Sequence, residues 1–244
     1  MSSVNECIYI HEFIDIRGHN RANYMHHMTA NWSPNAQEDR GQRCYGVWAL
    51  FGSTGPWPQV VNMWEHENWD GLAASFAIEG VGGGAQDPKL EKWWARASEF
   101  RRGGFDRIVV PAPWTRSIEQ LCADGVRGDV YAHELVQVRP GAAVELLDRA
   151  RESAYARYGW ELTGAFTTAM ANDDEALLLW AIPTWQQWAD AEKASATDDD
   201  VVHWRAGLRD IVTSWHRVLL VDAPLSPFRT GRQPQRSDRT DWEE

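Results

Sequence analysis

A motif that occurs twice constrains this chain more than any other feature. Tyr9-Ile10-His11-Glu12 and Tyr131-Ala132-His133-Glu134 share Tyr-x-His-Glu at a separation of 122 residues. The likeness continues in order. Gly46-Val47-Trp48 answers to Gly164-Ala165-Phe166 at 118, Trp64 and Trp69 to Trp180 and Trp185 at 116, and Trp94 to Trp204 at 110. Asp106-Arg107-Ile108-Val109-Val110 faces His216-Arg217-Val218-Leu219-Leu220, also at 110. A separation that falls along the chain places insertions in the first copy, at residues 29–42, 52–59 and 78–88. A duplicated unit of this size is one supersecondary motif repeated.

Hydrophobic periodicity says which motif. Residues 7–16 alternate as a strand. A helical stripe of Tyr24, Met25, Met28 and Trp32 follows, and in the second copy one of Val144, Leu147, Ala154 and Tyr158. Gly46–Phe51 and Val60–Trp64 read as strands joined by the turn-forming run Gly52-Ser53-Thr54-Gly55-Pro56-Trp57-Pro58, and a helix opens at Asp70. The order strand, helix, strand, strand, helix, strand, taken twice, is a tandem ferredoxin-like α+β fold (βαββαβ twice). The first repeat spans 6–115 and the second 128–225, with 112–128 as linker. Residues 226–244, rich in Arg, Pro, Asp and Gln, read as a disordered tail. Helices cover one face of such a sheet, so the other face needs a second sheet. The second repeat can supply it, or a homodimer partner can; both arrangements stay open.

Composition narrows the function. A net charge of −11 argues against nucleic acid and anionic membranes as partners. Three widely spaced cysteines, Cys7, Cys44 and Cys122, indicate neither a disulfide framework nor a zinc site. No metal site is expected: His26 and His27 are adjacent, and neighbours on a helix point about 100° apart. With no apolar h-region and no long apolar run, a cytoplasmic protein is expected. Cations that are nearly all arginine suggest a GC-rich bacterial genome. Fifteen tryptophans suggest an apolar or aromatic ligand in a Trp-rich pocket.

The run Gly46-x-Trp48, the Gly55-Pro56 turn, the strand Val60-Val61-Asn62-Met63-Trp64-Glu65-His66 and the helix after it resemble the NIPSNAP family of dimeric α/β-barrel proteins. The resemblance covers residues 8–111 and extends to the second copy in outline. His66 stands where the family usually has an aromatic residue, and Ile14 where its Glu-x-Arg has arginine. What the resemblance implies is the fold. Members of the family differ too widely for it to imply a reaction.

Alternation within the strands proposes the site. Ile8, Ile10, Ile14 and Ile16 suit the helix layer, which leaves Tyr9, His11, Phe13 and Asp15 on the other face. In the third strand, Val61 and Met63 suit the helices and leave Val60, Asn62, Trp64 and His66 for a cavity. The inverse parity brings in Glu12 and Glu65 instead. The candidate acid–base residues are therefore His66, His11 and Glu12, with Tyr9, Phe13, Trp48, Asn62 and Trp64 contacting substrate. His11 recurs as His133, which equally fits a structural role. His66 is expected near the cavity mouth, with Glu65 or Glu67 offsetting burial to keep its pKa near neutrality. Asn62 and His66 become Leu178 and Ile182 in the second copy, so the better pocket is expected in the first. Gly80-Val81-Gly82-Gly83-Gly84 suits a mobile flap over it. The expected activity is cofactor-independent acid–base chemistry of isomerase, lyase or monooxygenase type, in bacterial catabolism or specialised metabolism. The alternative is a non-catalytic protein that binds an apolar ligand or haem.

Overall fold

The computed structural model describes residues 4–80 and 87–240. Val81 to Gly84, most of the expected flap, lie outside them. The chain divides into two compact units. One comprises Glu6–Arg107 and Asp222–Glu244, the other Met1–Asn5 and Ile108–Val221.

In the first unit, β1 (Ile8–Ile16) leads to α1 (Arg21–His26), a π-helical turn (His27–Trp32) and α2 (Ser33–Arg40). β2 (Arg43–Leu50) and β3 (Gln59–His66) follow, then α3 (Trp69–Glu79), α4 (Pro88–Phe100) and β4 (Arg101–Pro111), whose end belongs to the second unit. β3 lies between β1 and β2, antiparallel to both. The insertion at 29–42 is therefore mostly helical.

The second unit holds α5 (Ile118–Ala123), β5 (Val130–Val138), α6 (Ala143–Arg151), β6 (Glu161–Thr168), β7 (Glu175–Ile182), α7 (Trp185–Thr197), α8 (Asp199–Ala206) and β8 (Val212–Asp222). Its strands run β8-β5-β7-β6-β4. The expected strand, helix, strand, strand, helix, strand order is present twice, and the fold is α+β of the ferredoxin-like repeat class.

The repeated signals act as local instructions. Gly46 and Gly164 each sit at a break in register, a β-bulge, between the second and third strands of their copy. Trp69 and Trp185 each open a helix directly after a capping side chain. Asn68 accepts from the backbone N–H of Gly71, and Thr184 from that of Gln187. Each unit has its own core. Ile14, Ile16, Tyr24, Met28, Trp32, Val60, Trp64, Leu90, Trp93 and Phe100 pack together in the first. Leu146, Leu147, Tyr155, Trp160, Leu178 and Trp180 do so in the second.

The expected disordered tail is corrected over residues 226–240. A short helix α9 (Pro227–Thr230) buries Phe228 against Tyr45 and Trp48, at ring-centroid distances of 5.5 and 5.8 Å. Gln233 bonds the backbone of Cys44 twice: its Nε2 donates to the carbonyl oxygen at 2.8 Å and its Oε1 accepts from the N–H at 2.9 Å. A polar, proline-bearing composition hid one apolar anchor and a side chain that completes a strand edge.

Candidate active site

Register decides which side chains meet. β1 and β3 pair antiparallel with Ile10 opposite Trp64, Glu12 opposite Asn62 and Ile14 opposite Val60. Directly opposed residues share a face. Asn62, Trp64 and His66 therefore lie with the isoleucines and Glu12 on the helix-covered face. Tyr9, His11 and Phe13 lie on the reverse with Val61, Met63 and Glu65. This corrects the expected convergence of Tyr9 and His11 with Asn62, Trp64 and His66. The parity assigned to β1 matches its contacts, and that assigned to β3 was inverted. Val61 and Met63 are as apolar as Val60, so alternation alone could not orient the strand.

On the helix side the structure assembles a network around Glu12. Its Oε2 accepts from Asn62 Nδ2 at 2.8 Å and from Trp64 Nε1 at 2.9 Å. Asn62 Nδ2 also donates to the Tyr24 hydroxyl oxygen at 3.0 Å. Asn62 and Tyr24 are 0% exposed and Trp64 is 1% exposed, whereas Glu12 keeps partial exposure. The second oxygen, Oε1, has no hydrogen-bond partner among the described residues. Burial raises the Glu12 carboxyl to about pKa 7, and the nearby charge of Asp106 acts in the same direction. The bonds from Asn62 and Trp64, and the charge of Arg101, hold it from rising further. Near neutral pH both its protonated and ionised forms are populated. Burial also holds the Tyr24 phenol well above its usual range, so it remains a neutral hydroxyl.

The second copy keeps half of this arrangement. Trp180 Nε1 donates to Glu134 Oε2 at 2.8 Å, as Trp64 does to Glu12. There Arg217 closes the site, donating to Glu134 Oε1 from Nε at 2.7 Å and from Nη2 at 2.6 Å. Glu134 is 0% exposed. α1 and α6 start at Arg21 and Ala143, the same 122-residue separation as β1 and β5, so Leu146 answers to Tyr24. Leu178 answers to Asn62. The polar residues that distinguish the first copy are thus Asn62, already singled out from the sequence, and Tyr24, which the helical stripe classed as core. Setting Tyr24 against Leu146 in the repeat would have revealed it.

The remaining candidates occupy other places. Tyr9 donates from its hydroxyl to Glu65 Oε2 at 2.9 Å. His11 is 0% exposed, with Nδ1 3.4 Å from Arg107 Nη1 and its ring edge-on to Phe13. Trp48 packs between Tyr45 and Phe228. His66 is not at a cavity mouth. It is 0% exposed, and neither ring nitrogen has a hydrogen-bond partner among the described residues. Burial, then the positive charge of Arg40, lowers its pKa to about 4. The expected near-neutral value is corrected, because Glu65 points from the opposite face and bonds Tyr9. Haem would need an axial side chain with a free donor atom over an apolar cavity. His66 and His11 are both sealed, so these rings do not fit it. Among the described residues no group of three or more His, Cys, Asp and Glu is placed to hold a metal ion. Nor is any described helix long and apolar enough to cross a membrane.

No protein-family model matches the sequence, and no curated protein matches it. Solved structures do. An anthrone oxidase-like protein is 10% identical and superposes with a TM-score of 0.59, over 89% of this chain and 91% of its own. A candidate monooxygenase from Lactobacillus acidophilus NCFM is 11% identical with a TM-score of 0.57, over 95% of this chain and 97% of its own. At such identities the likeness establishes a shared fold. A NIPSNAP-like domain protein from Burkholderia xenovorans is 18% identical over 46% of this chain and 91% of its own, with a TM-score of 0.38. The narrower family name therefore rests on the sequence resemblance alone.

Proposed function

We propose that the chain is a cofactor-independent enzyme that removes a proton from an aromatic small molecule, with Glu12 as the base. The observation that carries this reading is the asymmetry of the Glu12 carboxylate. Oε2 is fixed by Asn62 and Trp64, while Oε1 has no hydrogen-bond partner among the described residues, on a partly exposed side chain raised to about pKa 7. A carboxylate held on one oxygen and free on the other is oriented for proton transfer, and a pKa near the working pH suits a general base. In Glu134 the corresponding oxygen is taken by Arg217. The substrate's C–H or O–H bond breaks towards Oε1, the proton stays on Glu12, and the electron pair delocalises into the aromatic system. The resulting carbanion or enolate is the common starting point for isomerisation, elimination or attack on dioxygen. The last route agrees with the names of the structural neighbours.

Anthrone is a suitable probe, since its methylene protons are acidic and its oxidation balances as anthrone plus O₂ giving anthraquinone plus water. Methylene hydrogen–deuterium exchange in D₂O under nitrogen isolates the proton step. The protein is expected to accelerate this exchange, with a rate that rises with pH through about 7 as Glu12 ionises. Glu12→Gln keeps the shape and loses the base, and should lower the protein-dependent rate by roughly 10²–10⁴-fold. Exchange at the wild-type rate in Glu12→Gln would remove Glu12 from the chemistry.

A further inference from the structure

Between α2, α3 and α4 of the first unit lies a cleft of about 390 Å³, within the range of small-ligand sites. Neither Glu12 nor Asn62, Trp64 or Tyr24 lines it. Its apolar wall includes Trp32, Trp93 and Leu90. The two indoles are 4.5 Å apart between centroids, and the His27 ring stacks on Trp93 at 4.9 Å and 8°. Asn31 Nδ2 lies 3.1 Å from His27 Nδ1 and steadies that ring. His27, Asn31 and Trp32 all belong to the π-helical turn, an irregularity found frequently at functional sites. The wall is therefore aromatic and braced before any ligand arrives.

Polar groups around the cleft differ in how far they are already engaged. Arg40 lies 5.4 Å from the centroid of the Trp32 ring, and donates to Ser75 Oγ at 2.8 Å and to Glu79 Oε2 at 2.9 Å, so its charge is matched within the protein. Asp87 caps α4 by accepting from the N–H groups of Lys89 and Leu90. Lys89 and Lys92 stand three residues apart on one face of the first turns of α4. They are two of only three lysines in the chain. Lys89 has no carboxylate partner among the described residues, and the positive end of the helix dipole adds to its potential. Asp39 lies in the same lining and disfavours a second anionic group on the ligand.

We infer that this cleft is a second binding site, for a planar aromatic carboxylate. The ring lies against Trp32 and Trp93, and the carboxylate meets Lys89 and Lys92. The site is separate from the Glu12 network and stands or falls independently of it.

Titration calorimetry of the full chain with 2-naphthoate tests the assignment. Binding is expected, weakened about tenfold or more by the exposed double substitution Lys89→Glu/Lys92→Glu. The uncharged 2-acetylnaphthalene should bind at least about tenfold more weakly than 2-naphthoate to the wild type. Glu12→Gln should leave the naphthoate affinity within about twofold, because Glu12 does not line the cleft. No binding to the wild type, or equal affinity in the doubly substituted chain, would overturn the proposal. So would equal affinity for the uncharged analogue. Loss of binding in Glu12→Gln would place the ligand at the carboxylate network and overturn it too. Proton exchange is not read in this titration, so its failure leaves the role of Glu12 untouched.

Discussion

Glu12 and Glu134 begin as the same residue in the same motif and end with different chemistry. Each accepts from the indole N–H of the tryptophan on the third strand of its copy. Arg217 then decides the fate of Glu134. Its guanidinium lies 4.9 and 4.8 Å from the Tyr155 and Trp160 ring centroids and pairs with the carboxylate, which a buried charge requires. Glu12 has no such partner among the described residues, and burial, with Asp106 nearby, raises it to about pKa 7. His66 carries a second pH consequence. Its folded-state pKa of about 4 lies below the unfolded value near 6.5, so folding favours the neutral ring. The stability this gives is fully present above about pH 6.5 and is lost as pH falls through about 4. His66→Ile copies the residue at the matching place in the second copy, Ile182. It also removes two unsatisfied buried nitrogens. Urea unfolding should show the variant gaining about 2.5 kcal/mol on the wild type between pH 7.5 and 4.5. Parallel pH dependence of the two proteins would rule out a titrating buried imidazole.

At the scale of the element, the β2–β3 pair shows how one glycine fixes a bulge. A Cβ built on Gly46 would lie 2.1 Å from Cη2 of Trp48, whose ring is held by Tyr45 and Phe228. No L side chain fits there without displacing that indole. Gly46→Ala should therefore cost about 2–3 kcal/mol, measurable as a lower urea midpoint at unchanged slope. Gly103→Ala, where an added Cβ meets nothing within 4 Å, should stay within about 0.5 kcal/mol of the wild type. Equal effects of the two substitutions would contradict the packing account. The glycine was visible in the sequence because it recurs as Gly164. Its reason was not, since the contact depends on a tryptophan ring folding back across the strand.

For the whole molecule, the boundaries that matter are not those of sequence. The unit that begins at Glu6 is completed by residues from Asp222 onward. Ser226 is 0% exposed and Phe228 is 2% exposed. Phe228→Ala should destabilise the protein by about 3 kcal/mol, in the usual range for a buried aromatic. A chain ending at residue 225 should lose at least as much, because the Gln233 bonds to Cys44 go as well. A truncated chain with the wild-type urea midpoint would show that the segment only rests on the surface.

Sequence by itself determined the duplication, the order of elements in each copy and the residue types from which a site could be built. These are local matters: periods of two and of about 3.6, turn residues, caps and a recurring motif all act over a few residues. Glu12, Asn62 and Trp64 were identifiable on that basis, each as a separate candidate. Tertiary structure decided which of them meet. The register of β1 on β3 sets Glu12 opposite Asn62 and carries His11 to the reverse face, and a shift of one residue would exchange the two sets. Apolar residues on both faces of β3 leave that choice unmarked in the chain. Burial then raised one carboxyl to about pKa 7 and lowered one imidazole to about 4, because the cost of desolvating a charge depends on the surrounding packing.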